Sequence, residues 1–342
     1  MEVTMYSKCG DFMSMFSAAN ELILGLAPMA GTSTPPFRGL VSELSATFTI
    51  SELVSARGIV YNPHMEKVSR YLLPDPREGL YAIQLFGYDP ADFSAAIEIL
   101  LRHPVYGRAD WIDINMGCPV KKVCGTGAGA ALMLKPDLAC AIAAAAVAAA
   151  AEFNKMVTVK MRSGWDVQNI NAPALARRLE GEGVAGITVH ARSREQFYGG
   201  QADWQVFASV REQCNLPLCG NGDITSAEDI RRLQEIVKLD GYQIGRAAMG
   251  NPFVFEQIRE GMKGNTVPSR ISSERWLRAV LHHLDGMIEL IGEEAGCREM
   301  RSQFAYYVRS VRDAAGFRDR LMQIEDRQSA VEILLEVAER RG

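Results

Sequence analysis

Residues 157–190, VTVKMRSGWDVQNINAPALARRLEGEGVAGITVH, contain the pattern that decides the fold. The apolar runs Val157–Met161 and Gly186–His190 have the length and the β-branched content of strands. The amphipathic segment Ala172–Glu182 between them has helical spacing. Neither run alternates cleanly between apolar and polar residues, which is typical of strands covered on both faces. The stretch therefore predicts a parallel strand–helix–strand unit.

The same unit recurs along the chain from about residue 22. The predicted strands are Leu22–Ala27, Phe48–Ser51, Tyr81–Phe86, Trp111–Asn115, Val157–Met161, Gly186–His190, Leu216–Gly220 and Gly241–Gly245. The helix-like stretches between them include Pro90–Arg102, Asp137–Glu152, Ala172–Glu182, Trp204–Gln213 and Ser226–Val237. Eight strand–helix units predict a closed (β/α)8 TIM barrel of the α/β class. No G-x-G-x-x-G motif follows the first strand, which counts against a dinucleotide-binding open sheet.

The chain changes character after Asn265. Residues 266–269, TVPS, form a linker, and no strand-like run follows it. Helical periodicity instead marks the segments Glu274–Ile291, Arg298–Arg312 and Gln328–Arg340. We therefore expect a barrel domain in residues 21–265 and a small all-α helical domain in residues 268–342. Residues 1–20 match neither pattern and are expected to form a disordered N-terminal extension.

The composition is that of an ordinary globular protein. The 342 residues are 48% hydrophobic and 23% charged, with a formal net charge of −4. A negative chain does not bind nucleic acid through its whole surface, so a polyanionic partner has to use a local basic patch. The seven cysteines are scattered and form no C-x-x-C pair. They indicate free thiols in a reducing compartment and argue against a zinc knuckle.

Neither a leader peptide nor a membrane anchor is predicted. The N-terminal residues include Glu2 and Asp11 and lack the basic start and apolar block of a signal peptide. The most apolar run, Leu138–Ala151, has only 14 residues and is mostly alanine, so it is too short and too weakly hydrophobic to cross a bilayer. We expect a monomeric cytoplasmic protein without a metal ion.

In a barrel of this kind the chemistry belongs where the strands end. Two glycine-rich turns follow the last two predicted strands, CGNGDI at 219–224 and GRAAMGNP at 245–252. Turns in these positions, together with a short helix N-terminus, are the usual phosphate site of a barrel. They are the strongest purely physical signal in the chain and predict a phosphate-bearing ligand over the barrel mouth.

Polar residues in the middle strands point to the same opening. Lys160 and Arg162 lie two residues apart in one strand and so share a face, where they need an anionic or electron-rich partner. His190 ends the next strand beside these cations. Gln84 lies between apolar neighbours, and for this residue a satisfied core amide and a ligand contact are equally compatible with the sequence.

Cys118 is the candidate reactive group. It lies in a Gly-Cys-Pro turn directly after the predicted strand Trp111–Asn115, followed by Lys121 and Lys122. A cysteine in an exposed turn beside cations is a better candidate for chemistry than one in the core. The other six cysteines are expected to be structural.

Together these residues resemble the tRNA-dihydrouridine synthase family, and most closely its bacterial B-type branch. The resemblance covers about residues 22–325 and is most specific in INMGCP, GNGDI and GRAAMGNP taken together. The matching stretches are APMAG at 27–31, SELVSA at 51–56, QLFG at 84–87, DINMGCPVKKV at 113–123, VKMRSGW at 159–165, VHAR at 189–192, GNGDI at 220–224, GRAAMGNPF at 245–253 and EMR at 299–301.

The resemblance implies an enzyme that uses FMN to reduce uridines in tRNA, with NADPH as the electron donor. Pro28, Met29 and Ala30 would lie under the isoalloxazine ring, Gln84 at its pyrimidine edge, and Lys160 on the N1/O2 side, where a cation stabilises the reduced ring. The residues implied to hold the ribityl phosphate are His190, Asn221, Gly222, Asp223, Gly245 and Arg246.

The resemblance also assigns the substrate side. Cys118 would be the proton donor, as a neutral thiol suits an acid at neutral pH. Asn115 and Arg162 are candidates for positioning the flipped base. Arg301 in the helical domain, with Lys121 and Lys122 at the barrel rim, would bind the RNA backbone.

One departure from the family pattern leaves alternatives open. The family usually has a Lys-His pair after the arginine of EMR, whereas this chain has Ser302-Gln303. The target uridine is therefore open, as are a ribosomal RNA substrate, a flavin reductase of a free pyrimidine, and an RNA-binding relative without catalysis. Cys124 stands where the family typically has a polar residue, and the sequence gives it no role.

Overall fold

A computed structural model describes residues 12–16, 22–65, 68–268 and 270–341. These residues contain nine β-strands that form one sheet. In chain order they are β1 (Leu24–Leu26), β2 (Phe48–Ile50), β3 (Val54–Ser55), β4 (Leu80–Phe86), β5 (Trp111–Met116), β6 (Met156–Arg162), β7 (Gly186–His190), β8 (Leu218–Asn221) and β9 (Gly241–Ile244).

Eight of these strands close into a parallel barrel. The order runs β2-β1-β9-β8-β7-β6-β5-β4, and β2 also pairs with β4, which closes the ring. The two-residue strand β3 adds to the far end of β4. The predicted TIM barrel is confirmed, and each predicted strand corresponds to an observed one within two residues at either end.

Helices cover the outside of the barrel. They are α1 (Pro35–Glu43), α2 (Ala56–Tyr61), α3 (Ser69–Leu72), α4 (Pro90–Arg102), α5 (Lys121–Cys124), α6 (Pro136–Ala151), α7 (Ala172–Gly181), α8 (Gln205–Gln213), α9 (Ala227–Ile236) and α10 (Val254–Met262). Their starts follow from local chemistry: Asp89 accepts a hydrogen bond from the Ala91 N–H, and Ser226 and Asp229 form a capping box. No helix in the described ranges has the length and hydropathy that crossing a membrane requires.

The C-terminal part is helical, with a core of its own. It consists of α11 (Ser273–Ile291), α12 (Glu293–Tyr307), α13 (Ala314–Leu321) and α14 (Arg327–Arg340). Trp276, Phe304 and Leu334 belong to a buried apolar cluster formed within this part of the chain. Helix α11 packs closely on α1, since a side chain at Gly286 would meet Pro36 at 2.7 Å. The predicted helix Arg298–Arg312 ends earlier, at Tyr307; the chain then forms turns, and Asp313 has a left-handed conformation with φ 63° just before the next helix.

Residues 12–16 of the predicted N-terminal extension pack against the barrel. Phe12 and Phe16 are buried and pack edge-on against Trp111, with ring centroids 5.7 and 6.1 Å away, at the start of β5. Phe16 also contacts Phe48 at the start of β2. This segment therefore covers the N-terminal end of the barrel, opposite the strand ends that were predicted to carry the chemistry. The rest of the predicted extension lies outside the described residues.

Candidate active site

A cavity of about 520 Å³ opens where the barrel strands end. Its size falls in the range of roughly 300–1,000 Å³ that small-molecule sites occupy. The loops after β1, β5, β8 and β9 and the ends of β6 and β7 form its wall. The predicted site residues on that wall are Pro28, Met29, Ala30, Asn115, Cys118, Lys160, Arg162, His190, Asn221, Gly222, Asp223, Gly245 and Arg246.

The predicted phosphate side is organised around Asp223. This carboxylate accepts hydrogen bonds from Arg192, at 2.6 Å, and from Arg246, at 2.9 Å. Its partial burial works against ionisation, but the bonds from Arg192 and from the Ala202 N–H hold its pKa below the usual 3.8. The guanidinium of Arg246 is half exposed and lies over the Tyr198 ring. An arginine held in this way at the cavity edge can bind a phosphate.

Gly222 is a position where the backbone itself requires glycine. Its φ is +116°, a conformation that L side chains rarely adopt, and a Cβ there would lie 2.9 Å from the His190 ring. The absence of a side chain lets the loop after β8 approach β7 closely. The glycine of GNGDI is thus needed for the shape of the cavity wall.

Lys160 lies in the cavity wall and is almost fully buried. Its ammonium donates to Asn221 Oδ1 at 2.9 Å, and Asn221 Nδ2 donates to the Gln243 carbonyl at 2.8 Å. Burial lowers the pKa of Lys160 to about 7, although Asp113 counteracts part of this effect. The protein thus provides a neutral amide rather than a carboxylate in direct contact with Lys160. An electron-rich ligand in the cavity would favour its charged form.

Arg162 is bound to backbone carbonyls. Its guanidinium donates to the carbonyls of Gly117, Ser193 and Phe197 at distances of 2.7–2.9 Å. Burial lowers the pKa of this group to about 10, so it stays charged at neutral pH. The expected anionic partner is therefore not required for Arg162, because three carbonyl dipoles solvate it. The side chain ties the Cys118 turn to the loop after β7 while lining the cavity.

The Cys118 turn is held by Asn115. Asn115 Oδ1 accepts from the backbone N–H groups of Gly117, at 3.1 Å, and Cys118, at 2.8 Å. The Cys118 carbonyl accepts from the Ala130 N–H at 3.0 Å and from the Cys124 thiol at 3.1 Å. Burial raises the pKa of the Cys118 thiol above its usual 9.0. The thiol is therefore neutral at physiological pH and suited to donating a proton.

Gln84 is fully buried behind Asn115 and does not line the cavity. Its Nε2 donates to Asp113 at 2.7 Å, and its Oε1 accepts from Asn115 at 2.9 Å. These bonds match the satisfied core amide that the sequence left open. Direct contact between Gln84 and a bound ring stays a prediction, and in this structure Gln84 reaches the cavity through Asn115.

Two further buried groups define the polarity of the cavity. Burial lowers the pKa of His190 to about 2, and the cations around it, Lys160 first, act in the same direction, so the ring is neutral. Gln243 Oε1 is buried on the cavity side of β9 and has no hydrogen-bond partner among the described residues. A buried unpaired carbonyl is costly unless a ligand or water supplies a donor. The lining therefore fits a polar ring with N–H groups, such as a flavin.

Three predicted RNA-binding residues lie outside the cavity. Lys121 and Lys122 are exposed on α5, next to Val120 at the rim. Arg301 is directed into the helical domain, where it donates twice to the Ile324 carbonyl. The structure thus brings the two lysines close to the cavity but not Arg301.

The cavity also contains residues that the sequence analysis did not assign to it. Leu53, Tyr198 and Thr225 lie in loops after β2, β7 and β8, and Arg309 lies just after the helical domain's α12. Tyr198 is half exposed, and the Arg162 guanidinium lies 5.6 Å from its ring centre. The position of these residues after strand ends could have suggested the first three. Among the described residues, no cluster of three or more His, Cys, Asp or Glu side chains could hold a metal ion.

Comparisons with known proteins agree with this geometry. The family model for dihydrouridine synthase (Dus) matches residues 25–341. tRNA-dihydrouridine synthase B from Pasteurella multocida is 34% identical over 301 residues, which cover 88% of this chain and 88% of that protein. A probable tRNA-dihydrouridine synthase from Rhodobacter capsulatus is 36% identical over 303 residues, covering 88% and 90%.

A solved structure also shares the barrel fold. Histamine dehydrogenase from Rhizobium sp. 4-9 superposes with a TM-score of 0.52 at 12% identity, covering 77% of this chain and 48% of that one. This likeness concerns the fold alone. The match over residues 25–341 and the two sequence relatives are decisive: the chain belongs to the dihydrouridine synthase family.

Proposed function

We propose that the protein is an FMN-dependent tRNA-dihydrouridine synthase that reduces the C5–C6 double bond of specific uridines with electrons from NADPH. Membership of the family supports the reaction class. The names of the sequence relatives support tRNA as the substrate. The observation that carries the proposal is that the Cys118 turn, Lys160 and the glycine-rich loops after β8 and β9 line one cavity.

Different residues of the cavity wall would contact the ring and the phosphate of the cofactor. Pro28, Met29 and Ala30 form the side contributed by the loop after β1, where an aromatic ring can lie against small and apolar groups. Lys160 would stand at the electron-rich side of the ring. The phosphate would be bound by the loops carrying Gly222 and Arg246, with His190, Asn221, Asp223 and Gly245 beside them.

Cys118 would supply the proton. A flavin bound here would supply the hydride that is added to C6 of the uracil ring. The S–H bond of Cys118 would break as the C5–H bond forms, and the thiolate would recover its proton from solvent. A thiol whose pKa burial raises is neutral before this step, as a general acid must be. Asn115 fixes the turn by accepting from the Cys118 N–H.

The target base has to leave the RNA stack to enter the cavity. Arg162 and Asn115 would position its polar edge from the wall next to Cys118. Lys121 and Lys122 at the rim, and Arg301 in the helical domain, are proposed to contact the RNA backbone. A cytoplasmic, monomeric enzyme without a metal ion is part of the same proposal.

The test is to count dihydrouridine by mass spectrometry in unmodified tRNA incubated with the protein, FMN and NADPH. We expect Cys118→Ala to lower the rate of product formation about 10²- to 10⁴-fold, the usual contribution of a general acid. Flavin binding should be retained.

Cys124→Ala is the matched control, since it removes a nearby thiol that only donates to the Cys118 carbonyl. Its rate should stay within a few-fold of the wild type. Equal product from Cys118→Ala and the wild type would exclude the proton-donor role. A wild type that makes no dihydrouridine in any tRNA would exclude the function.

A further inference from the structure

The backbone of Gly31 makes hydrogen bonds on two sides. Its N–H donates to Glu52 Oε2 at 2.7 Å, from the loop between β2 and β3. Its carbonyl accepts from Gln303 Nε2 at 2.5 Å, from helix α12 of the helical domain. Glu52 and Gln303 are both almost fully buried. Gly31 is therefore a point where the two domains share hydrogen bonds.

Gly31 belongs to the tight turn that shapes one side of the cavity. The Thr32 N–H closes this turn on the Met29 carbonyl at 3.0 Å, and Gly31 has φ +69° at its third position. The preceding residues, Pro28, Met29 and Ala30, line the cavity. Because the turn is short, a shift of the Gly31 peptide is passed directly to these three residues.

The surroundings of this contact are charged and partly buried. Arg70 on α3 pairs with Glu299 on α12 at 2.5 Å, one helical turn before Gln303. Burial raises the pKa of Glu52, and its Oε1 has no hydrogen-bond partner in the part of the chain that the structure describes. Gly31 itself is exposed, so its carbonyl would bind water if Gln303 were replaced by an apolar residue, and the turn would lose this link to the helical domain.

We propose that Gln303 is a positioning residue, which from the helical domain fixes the Met29–Thr32 turn and so completes the cofactor side of the cavity. The inference rests on the proposed function, because the ligand of that side is FMN. It gives the helical domain a role in cofactor binding besides any contact with RNA.

The experiment measures the Kd of FMN for the flavin-free protein by fluorescence quenching. Gln303→Leu removes the donor and is expected to weaken binding about 3- to 10-fold, the effect of one lost hydrogen bond. The visible absorption band of the bound flavin should shift as well. Gln303→His restores a donor and should return the Kd to within about 2-fold of the wild type.

Two further variants separate positioning from folding. Gln303→Asn keeps the amide but is one methylene shorter, and it should behave like Gln303→Leu. Gln328→Leu makes the same change on exposed α14, where Gln328 bonds only within its helix, and should leave the Kd unchanged. Wild-type Kd and spectrum in both Gln303→Leu and Gln303→Asn would overturn the inference. Absence of FMN binding by the wild type would instead overturn the proposed function.

Discussion

The polar side chains of the barrel interior bind one another between strands. Asn115 on β5 donates to Gln84 on β4, Gln84 donates to Asp113, and Lys160 on β6 donates to Asn221 on β8. These hydrogen bonds hold two ionisable groups, Asp113 and Lys160, inside the protein, where burial shifts their pKa values. Burial raises the pKa of Asp113 to about 6 and lowers that of Lys160 to about 7. The protonation of Lys160 is therefore sensitive to a ligand near neutral pH.

The sequence predicted which polar side chains point into the barrel, but not which groups they bind. Lys160 and Arg162 share a face through the period of the strand, and both line the cavity. Their partners, an amide oxygen and three carbonyls, come from segments 31–61 residues away. Strand periodicity carries no information on such contacts, so the anionic partner expected for Arg162 was not needed.

Flavin affinity should depend on pH through Lys160. Its pKa is lowered to about 7, so its charge is present below pH 7 and is lost as the pH rises above it. If the ring binds the ammonium form, the Kd of FMN rises between pH 7 and 9 by up to about tenfold per pH unit. Lys160→Met should bind more weakly at pH 7 and lose this dependence.

The FMN phosphate titrates in the same way with the wild type and with Lys160→Met, so its contribution cancels in the comparison. His190 stays neutral over this pH range because its pKa is about 2. Fluorescence titrations at several pH values therefore isolate Lys160 by the difference between the two curves. Parallel curves for the wild type and Lys160→Met would contradict this role.

At the level of whole elements, the barrel strands were predictable because each is a short, continuous apolar run between helical stretches. Strand β3 was not predicted, since its two residues, Val54–Ser55, give no periodic signal. The end of α12 was placed too late because the arginine-rich sequence keeps helical spacing through Asp313, with no glycine or proline to mark a stop. The aromatic segment at residues 12–16 was too short to reveal its packing.

That segment makes a prediction about stability. Phe12 is buried against Trp111, and truncation of a buried Phe to Ala typically costs about 3–5 kcal/mol. Because residues 12–16 pack at the periphery of the barrel core, we expect Phe12→Ala to lower the free energy of unfolding by about 2–3 kcal/mol, at or below the low end of that range. Urea denaturation measures the loss, and FMN affinity should stay unchanged because the cavity lies at the opposite end.

Tyr61→Ala is the matched control for this prediction. Tyr61 is 73% exposed, so removing its ring should change stability by no more than about 0.5 kcal/mol. Equal denaturation midpoints for Phe12→Ala and Tyr61→Ala would show that the N-terminal segment does not seal the barrel in solution.

For the molecule as a whole, the site depends on contacts between distant parts of the chain. Gln303 bonds Gly31 across 272 residues, and Arg309 reaches the cavity from just after α12. Sequence periodicity predicted a helical domain but not how it sits on the barrel, so these contacts could not be predicted. Arg301, chosen by its place in the EMR stretch, turned out to bond the Ile324 carbonyl, whereas Arg309 lies beside the cavity.

The docking of the helical domain makes Arg309 the residue to test for RNA binding. An exposed arginine at the mouth can pair with a phosphate next to the flipped base. Arg309→Ala should weaken tRNA binding and reduce the slope of log Kd against log salt concentration by about one. Its affinity for FMN should stay within about 2-fold of the wild type, since the domain contact through Gln303 is intact.

Arg102→Ala is the control for this measurement, because Arg102 is exposed on α4 and paired with Glu98. Losing it should leave both the tRNA affinity and the salt slope as they are in the wild type. Filter binding of tRNA between low and physiological salt supplies both quantities. If Arg309→Ala and Arg102→Ala keep the same slope, Arg309 does not contact an RNA phosphate, and the same measurement on Lys121→Ala and Lys122→Ala tests the other side of the mouth.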